Sequence, residues 1–149
     1  MDRAANYRLR VERVDFVSIA SQDIERSRRF YLETLGLPLD RDVPTGGFEL
    51  TCGQVTLAVW EPEKIGLPFA PNPNDVAMRV PDVAEARAEL EARGVEFSGE
   101  TLDTGVCHMA FFHDPDGNAL MLHRRYAPVE PSHDGGQAPN MSEGGDGAG

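Results

Sequence analysis

Phe16-Val17-Ser18-Ile19 followed by Asp23-Ile24 and Arg28, and Asp75-Val76-Ala77-Met78 followed by Asp82-Val83 and Arg87, are one pattern written twice at an offset of 59 residues. Each copy reads as a strand entering a helix that stops at a glycine, Gly36 in the first and Gly94 in the second. A unit of roughly 60 residues used twice is not a solenoid, which needs about three or more copies; it describes two half-modules sharing one core. A ligand would then sit between the halves.

Outward from that frame, the first half continues with a helix over 23–35 and three short strands over 37–42, 47–51 and 55–60, the order β-α-β-β-β. Pro62, Pro68, Pro71 and Pro73 make 61–74 a connector, because proline fits neither a central strand nor a helix interior. The second half repeats the order: a strand over 75–80, an alanine-rich helix capped by Asp82 with Glu85 three residues on, and strands over 95–97, 105–112 and 118–124. Asp114-Pro115-Asp116-Gly117 suits a type I turn between the last two. The segment 127–149 is rich in glycine, proline and acid and nearly free of apolar side chains, so disorder is expected there. Residues 1–12 read as a leader.

At 149 residues the chain fits one ordinary domain. Cys52 and Cys107 are too few for a disulfide framework or a cysteine-rich zinc site, and no secretory signal pattern is visible, so a cytoplasmic location is expected. No apolar run approaches a membrane span. Twenty-five acids against 14 bases, net −11, would repel phosphate backbones and argue against nucleic acid. Small molecules or other proteins remain as partners.

The doubled β-α-β-β-β order, Phe30-Tyr31, Leu35-Gly36-Leu37 and Asp114-Pro115-Asp116-Gly117-Asn118 together resemble the vicinal oxygen chelate superfamily of glyoxalases, bleomycin-resistance proteins and extradiol dioxygenases. The resemblance covers 13–126 and implies an α+β fold in which half-modules 13–60 and 75–126 form a cupped mixed sheet. It also implies a homodimer and, in metal-using members, divalent-metal ligands on the first and last strands of each half. Those places fall on Phe16, Leu57, Asp75 and Met121. Phenylalanine and leucine cannot ligate, and a thioether suits such ions poorly, so no cofactor is expected at the usual site.

Strand alternation assigns faces. Val76, Met78 and Val80 go under the helix, leaving Asp75, Ala77 and Arg79 for the cup; the offset adds Phe16 and Ser18. On the last strand Ala119, Met121 and His123 are assigned to the cup, and on the fourth Val55, Leu57 and Val59, which sends Trp60 away. Met109 and Phe111 are taken as core, placing His108 with Ala110 and Phe112 on the other face. If that face is the cup, His108, His123, Asp75 and Glu49 compose a relocated two-histidine, one-carboxylate metal site. Cys107 and His108, as strand neighbours, point apart and cannot activate one another. Arg26, Arg28 and Arg29 read as an exposed helix face or a dimer contact.

The expected function is a glyoxalase-like protein binding a small apolar or aromatic metabolite through Phe16, Ser18, Glu49, Val55, Leu57, Asp75, His108, Met121 and His123, without metal. The alternative is a lyase, isomerase or dioxygenase, using Asp75 and His123 in acid–base chemistry or the relocated divalent metal.

Overall fold

The computed structural model describes residues 6–128. The duplicated frame is present in full. The first half holds β1 (Val17–Ala20), α1 (Ile24–Arg28), β2 (Leu39–Asp42), β3 (Phe48–Cys52) and β4 (Val55–Trp60); the second holds β5 (Val76–Arg79), α2 (Val83–Ala92), β6 (Phe97–Asp103), β7 (Cys107–His113) and β8 (Ala119–Arg125). The mixed sheet takes the form of two four-stranded sheets with the same topology, β1-β4-β3-β2 and β5-β8-β7-β6, each with one parallel pair formed by its first and last strands.

Local chemistry explains the boundaries. Both helices start at an aspartate whose carboxylate accepts a backbone N–H three residues on, Asp23 from Arg26 at 3.1 Å and Asp82 from Glu85 at 2.8 Å. Both end at a left-handed glycine, Gly36 with φ 72° and Gly94 with φ 90°. The first helix is not uniform as expected: beyond α1 it widens into a π-helical turn over Arg29–Thr34, which carries the buried Tyr31. The connector opens with a 3-10 turn, Pro62–Ile65, with proline at its start. β6 is longer than expected, and its pairing with β7 slips between Ser98 and Leu102, where Gly99 takes φ 71°. The tail expected to be disordered lies, from residue 129 on, outside the described residues.

The 59-residue offset extends to side-chain contacts. Arg28 reaches from α1 to Asp42 on β2, and Arg87 reaches from α2 to Thr101 on β6 at 3.1 Å. Each guanidinium also lies over a phenylalanine ring, here from non-equivalent strands: Phe48 of β3 at 4.8 Å and Phe97 of β6 at 4.9 Å. Arg26 ion-pairs with Asp116. The expectation of an exposed arginine face is therefore corrected: only Arg29 of the three is exposed.

One core serves both halves. Ile19, Tyr31, Phe48, Leu50, Leu57 and Val59 from the first join Met78, Val83, Leu90, Ala110, Phe112, Leu120 and Leu122 from the second. The helix-side faces of both sheets thus look into a shared interior, and their opposite faces look outward.

The Asp114–Asn118 turn binds the halves together. Asp114 is buried and accepts the Tyr31 hydroxyl at 2.7 Å, the backbone N–H groups of Asp116 and Asn118, both at 2.9 Å, and the Asn118 amide at 2.8 Å. The Asp116 carboxylate takes Arg26 Nη2 at 2.8 Å, the Ser27 hydroxyl at 2.9 Å and the Gln22 N–H at 3.0 Å. Asn118 donates to the Ala20 carbonyl on β1 and accepts from Asn72 in the connector, both at 2.8 Å. A second link runs from Arg93 at the end of α2 to the Thr34 carbonyl at 2.7 Å.

Burial, then Asp114, push the Tyr31 pKa far upward. A raised folded-state pKa stabilises fully below the ordinary tyrosine value of 10.0 and progressively less as pH climbs above it. Tyr31→Phe should lower stability near neutral pH by about 1.5–3 kcal/mol, the range for a hydrogen bond to a charged group. It should also flatten the alkaline loss of stability seen in wild type. Urea unfolding from pH 7 to 11 checks both, and an unchanged alkaline slope would contradict the assignment.

Candidate functional site

The outward faces are where side chains are free to meet a ligand, and pairing register settles what they display. On the second sheet Ala77 lies beside Met121 and Arg79 beside His123; Met109 pairs with His123 and Phe111 with Met121. These residues share one face because directly paired residues project to the same side. Met109, Phe111, Met121 and His123 are half-buried and Arg79 is exposed. The result is an apolar strip around one imidazole, with a guanidinium at the margin.

The first sheet presents a different surface. Ser18 pairs with Ala58, Ala20 with Trp60, Glu49 with Ala58 and Thr51 with Thr56. Glu49 is held by Arg41 at 2.7 Å. Trp60 is half-buried, and its indole nitrogen has no hydrogen-bond partner among the described residues. This face is built of small and polar groups with a single aromatic.

Several sequence assignments change. Val55, Leu57 and Val59 were expected on the open face; register instead aligns Leu57 and Val59 with the core residues Val17 and Ile19. Leu57 is 1 % exposed and cannot line a binding face, while Val55 is exposed at the strand's start. Thr56, Ala58 and Trp60 take the open side, the reverse of the expectation for Trp60. The consistent signal was available: an apolar triplet on β4 belongs beneath the helix as surely as Val76 and Met78 on β5.

The same inversion applies to β7. Ala110 and Phe112 are fully buried in the core, and Met109 and Phe111 are the open-face pair that sequence reading placed inside. Both sets are apolar, so alternation alone could not choose between them. His108 consequently lies on the side of the sheet opposite His123. It stacks on Tyr126 with ring centroids 4.6 Å apart and approaches Asp103 at 3.4 Å. The Gly105 N–H, with Tyr126, lowers the Asp103 pKa. Cys107 is buried and faces away from His108, as strand geometry requires.

Asp75 is exposed just before β5, and Phe16 and Ser18 are exposed at β1. Ala77 opposite Met121 puts Asp75 level with residue 119, four positions along β8 from His123. At about 3.3 Å per residue that is roughly 13 Å, too far for direct proton transfer between them. The relocated metal set fails on geometry, with His108 and His123 on opposite faces. The usual ligand places do not fit a divalent ion either: Phe16 and Leu57 carry no donor, Met121 offers a thioether, and Asp75 stands alone. Among the described residues no group of three or more His, Cys, Asp or Glu could hold a metal ion.

A concavity of about 530 Å³ opens elsewhere, in the seam between the halves. Leu35, Leu37, Cys52, Met78, Leu90 and Leu122 line it, with Arg79, Glu85 and Glu89 among its polar residues. It is an open cleft at the edge of the shared core, bridged beside it by the Arg93–Thr34 contact.

These faces make contrasting stability predictions. Leu57→Ala should cost about 2–5 kcal/mol as a core truncation, whereas Met121→Ala, on the open face, should cost well under half of that. Chemical denaturation of the two variants compares them directly; equal losses would contradict the register.

The Glyoxalase/Bleomycin resistance protein/Dioxygenase superfamily model matches residues 13–122. Among solved structures, an antibiotic binding protein, TnmS3, from Streptomyces sp. CB03234 is 27 % identical with a TM-score of 0.66, covering 79 % of this chain and 99 % of its own. A glyoxalase/bleomycin resistance protein from the same source is 28 % identical with a TM-score of 0.60, covering 72 % and 96 %. A glyoxalase/bleomycin resistance protein/dioxygenase from Nocardioides, at 23 % identity and a TM-score of 0.66, covers 87 % and 94 % and is alike in fold. Comparison with curated proteins gives no match. Among the described residues no helix is long and apolar enough to cross a membrane.

Proposed function

The chain belongs to the Glyoxalase/Bleomycin resistance protein/Dioxygenase superfamily, and from that premise we propose that it binds a small apolar or aromatic metabolite on the open face of its second sheet, without a metal. The observation carrying this reading is the cluster of Met109, Phe111 and Met121 in adjacent ladder positions around His123 and Arg79. Methionine and phenylalanine give an adaptable, polarizable surface for a flat ring. Imidazole and guanidinium nitrogens can fix an oxygen substituent of the ligand. Metal independence is supported by the donor chemistry at Phe16, Leu57 and Met121. The similarity to an antibiotic binding protein supports a sequestering role over turnover. Free Cys52 and Cys107 accord with a reducing, cytoplasmic setting.

The enzyme reading is not favoured, because its two candidate groupings, Asp75 with His123 and His108 with His123, are not brought together.

Calorimetric titration with a panel of aromatic metabolites tests the proposal. Chelator-treated and zinc-supplemented protein should bind a positive compound with the same Kd, and Met121→Asp should weaken it at least about tenfold, a change of about 1.4 kcal/mol. About one zinc, nickel, manganese or iron per chain, lost on His123→Ala, would overturn metal independence. Binding lost in Leu37→Asp but retained in Met121→Asp would move the ligand to the seam.

A further inference from the structure

The 59-residue offset also marks where the two halves part. At the first helix, the Asp116 carboxylate of the other half is held by the Gln22 N–H, the Arg26 guanidinium and the Ser27 hydroxyl. The residues one offset further along are Pro81, which has no N–H, Glu85, which is an acid, and Ala86, whose side chain has no polar atom. All three line the seam cleft of about 530 Å³. Positions that receive a carboxylate in one half hold no donor for one in the other.

The connecting turns explain why this cleft is open. β7 and β8 are joined by five residues, Asp114 to Asn118, long enough to lay an acid on α1, whereas β3 and β4 are joined by Gly53 and Gln54 alone. From the tip of that shorter hairpin only Cys52 lines the cleft, so the matching face of α2 is uncovered. Leu35, Leu37, Met78, Leu90 and Leu122 give it an apolar floor.

Charge around the floor is uneven. Glu89 is paired with Arg93, which also donates to the Thr34 carbonyl at 2.7 Å. Arg79 alternates with Met78, so its guanidinium belongs to the open face beside His123. Asp82 caps α2 through the Glu85 N–H, and the two carboxylates together answer the positive end of the helix. Among the described residues the Glu85 carboxylate has no ion pair and accepts no hydrogen bond. A free carboxylate above an apolar floor is complementary to a cation with an apolar body.

We propose that the seam cleft binds a small amphiphilic cation, an ammonium group on an aromatic or branched aliphatic body, with the body on Leu37, Met78, Leu90 and Leu122 and the ammonium at Glu85. The cleft falls within the roughly 300–1,000 Å³ of small-molecule sites. Its ligand takes the place that the Asp114–Asn118 turn occupies on α1, with the sign of the charge reversed. The site lies on the helix side of the second sheet and is independent of the metabolite reading of the open face.

Phenethylamine, phenethyl alcohol and phenylacetate share a ring and differ in charge, and calorimetric titration of the full chain with each compares them. The amine is expected to bind best and phenylacetate worst. An exposed ion pair contributes modestly, so Glu85→Gln should weaken the amine about two- to fivefold and leave the alcohol unchanged. Glu85→Arg/Ala86→Ser, which restores the side-chain donors found on α1, should turn the preference toward phenylacetate. Where that double variant fails to fold, the single Glu85→Gln change, at an exposed position, carries the test. In protein with isotope-labelled methionine methyls, the Met78 resonance should move with the amine while those of Met109 and Met121 stay. No binding of the amine, equal affinity for amine and phenylacetate, an amine affinity unchanged in Glu85→Gln, or movement of Met109 and Met121 in place of Met78 would overturn the proposal.

Discussion

Two carboxylates in one tight turn hold this molecule in its shape. Among the described residues no cation stands against the buried Asp114, which is tolerable there because four hydrogen bonds converge on it, one from Tyr31 in the other half. Asp116, with its side chain equally inaccessible, is neutralised by Arg26 and capped by Ser27 and the Gln22 N–H. The acceptors come from the second half and most donors from the first, so neither half can satisfy its polar groups alone. Removing one partner of such a network leaves a buried charge or donor uncompensated, which costs more than the bond itself contributes. The π-helical turn matters for the same reason: it carries the Tyr31 hydroxyl to the turn.

Much of the fold was legible because the repeat imposes identical rules twice. Aspartate caps, glycine stops and the order of strands are local signals, and each recurs at the same offset. The connector was legible from its prolines. The turn at Asp114 to Gly117 could be read, but its purpose could not, since nothing local says that Tyr31, Arg26 and Ala20 stand opposite. The widening of the first helix and the slip in β6 likewise depend on partners distant in sequence.

The candidate site was read less well, and most of the failure has one physical origin. A strand's period of two fixes which residues go together but not which set faces inward. On β5 and β8 one set was plainly more apolar, and Met121, His123, Ala77 and Arg79 were placed correctly. On β7 both sets are apolar, and there only the hairpin register with β8 decides. On β4 the apolar set was given to the ligand when Leu57 and Val59 belong to the core. The misplacement of Leu57, Val59 and Trp60 and the apparent convergence of His108 with His123 follow from those two inversions, whereas the pairing of Asp75 with His123 fails on distance along the strands.

The shared core on the helix side of both sheets separates two tasks. Residues that secure the fold point inward and meet in one interior; residues available for recognition point outward and carry little of the packing. Substitutions on the outward faces are therefore buffered from collapse, and the two faces can diverge independently, as the contrast between the methionine-rich and the small polar face already illustrates. The duplicated frame is in effect a chassis with two replaceable panels, whose outward surfaces can change while foldability is retained.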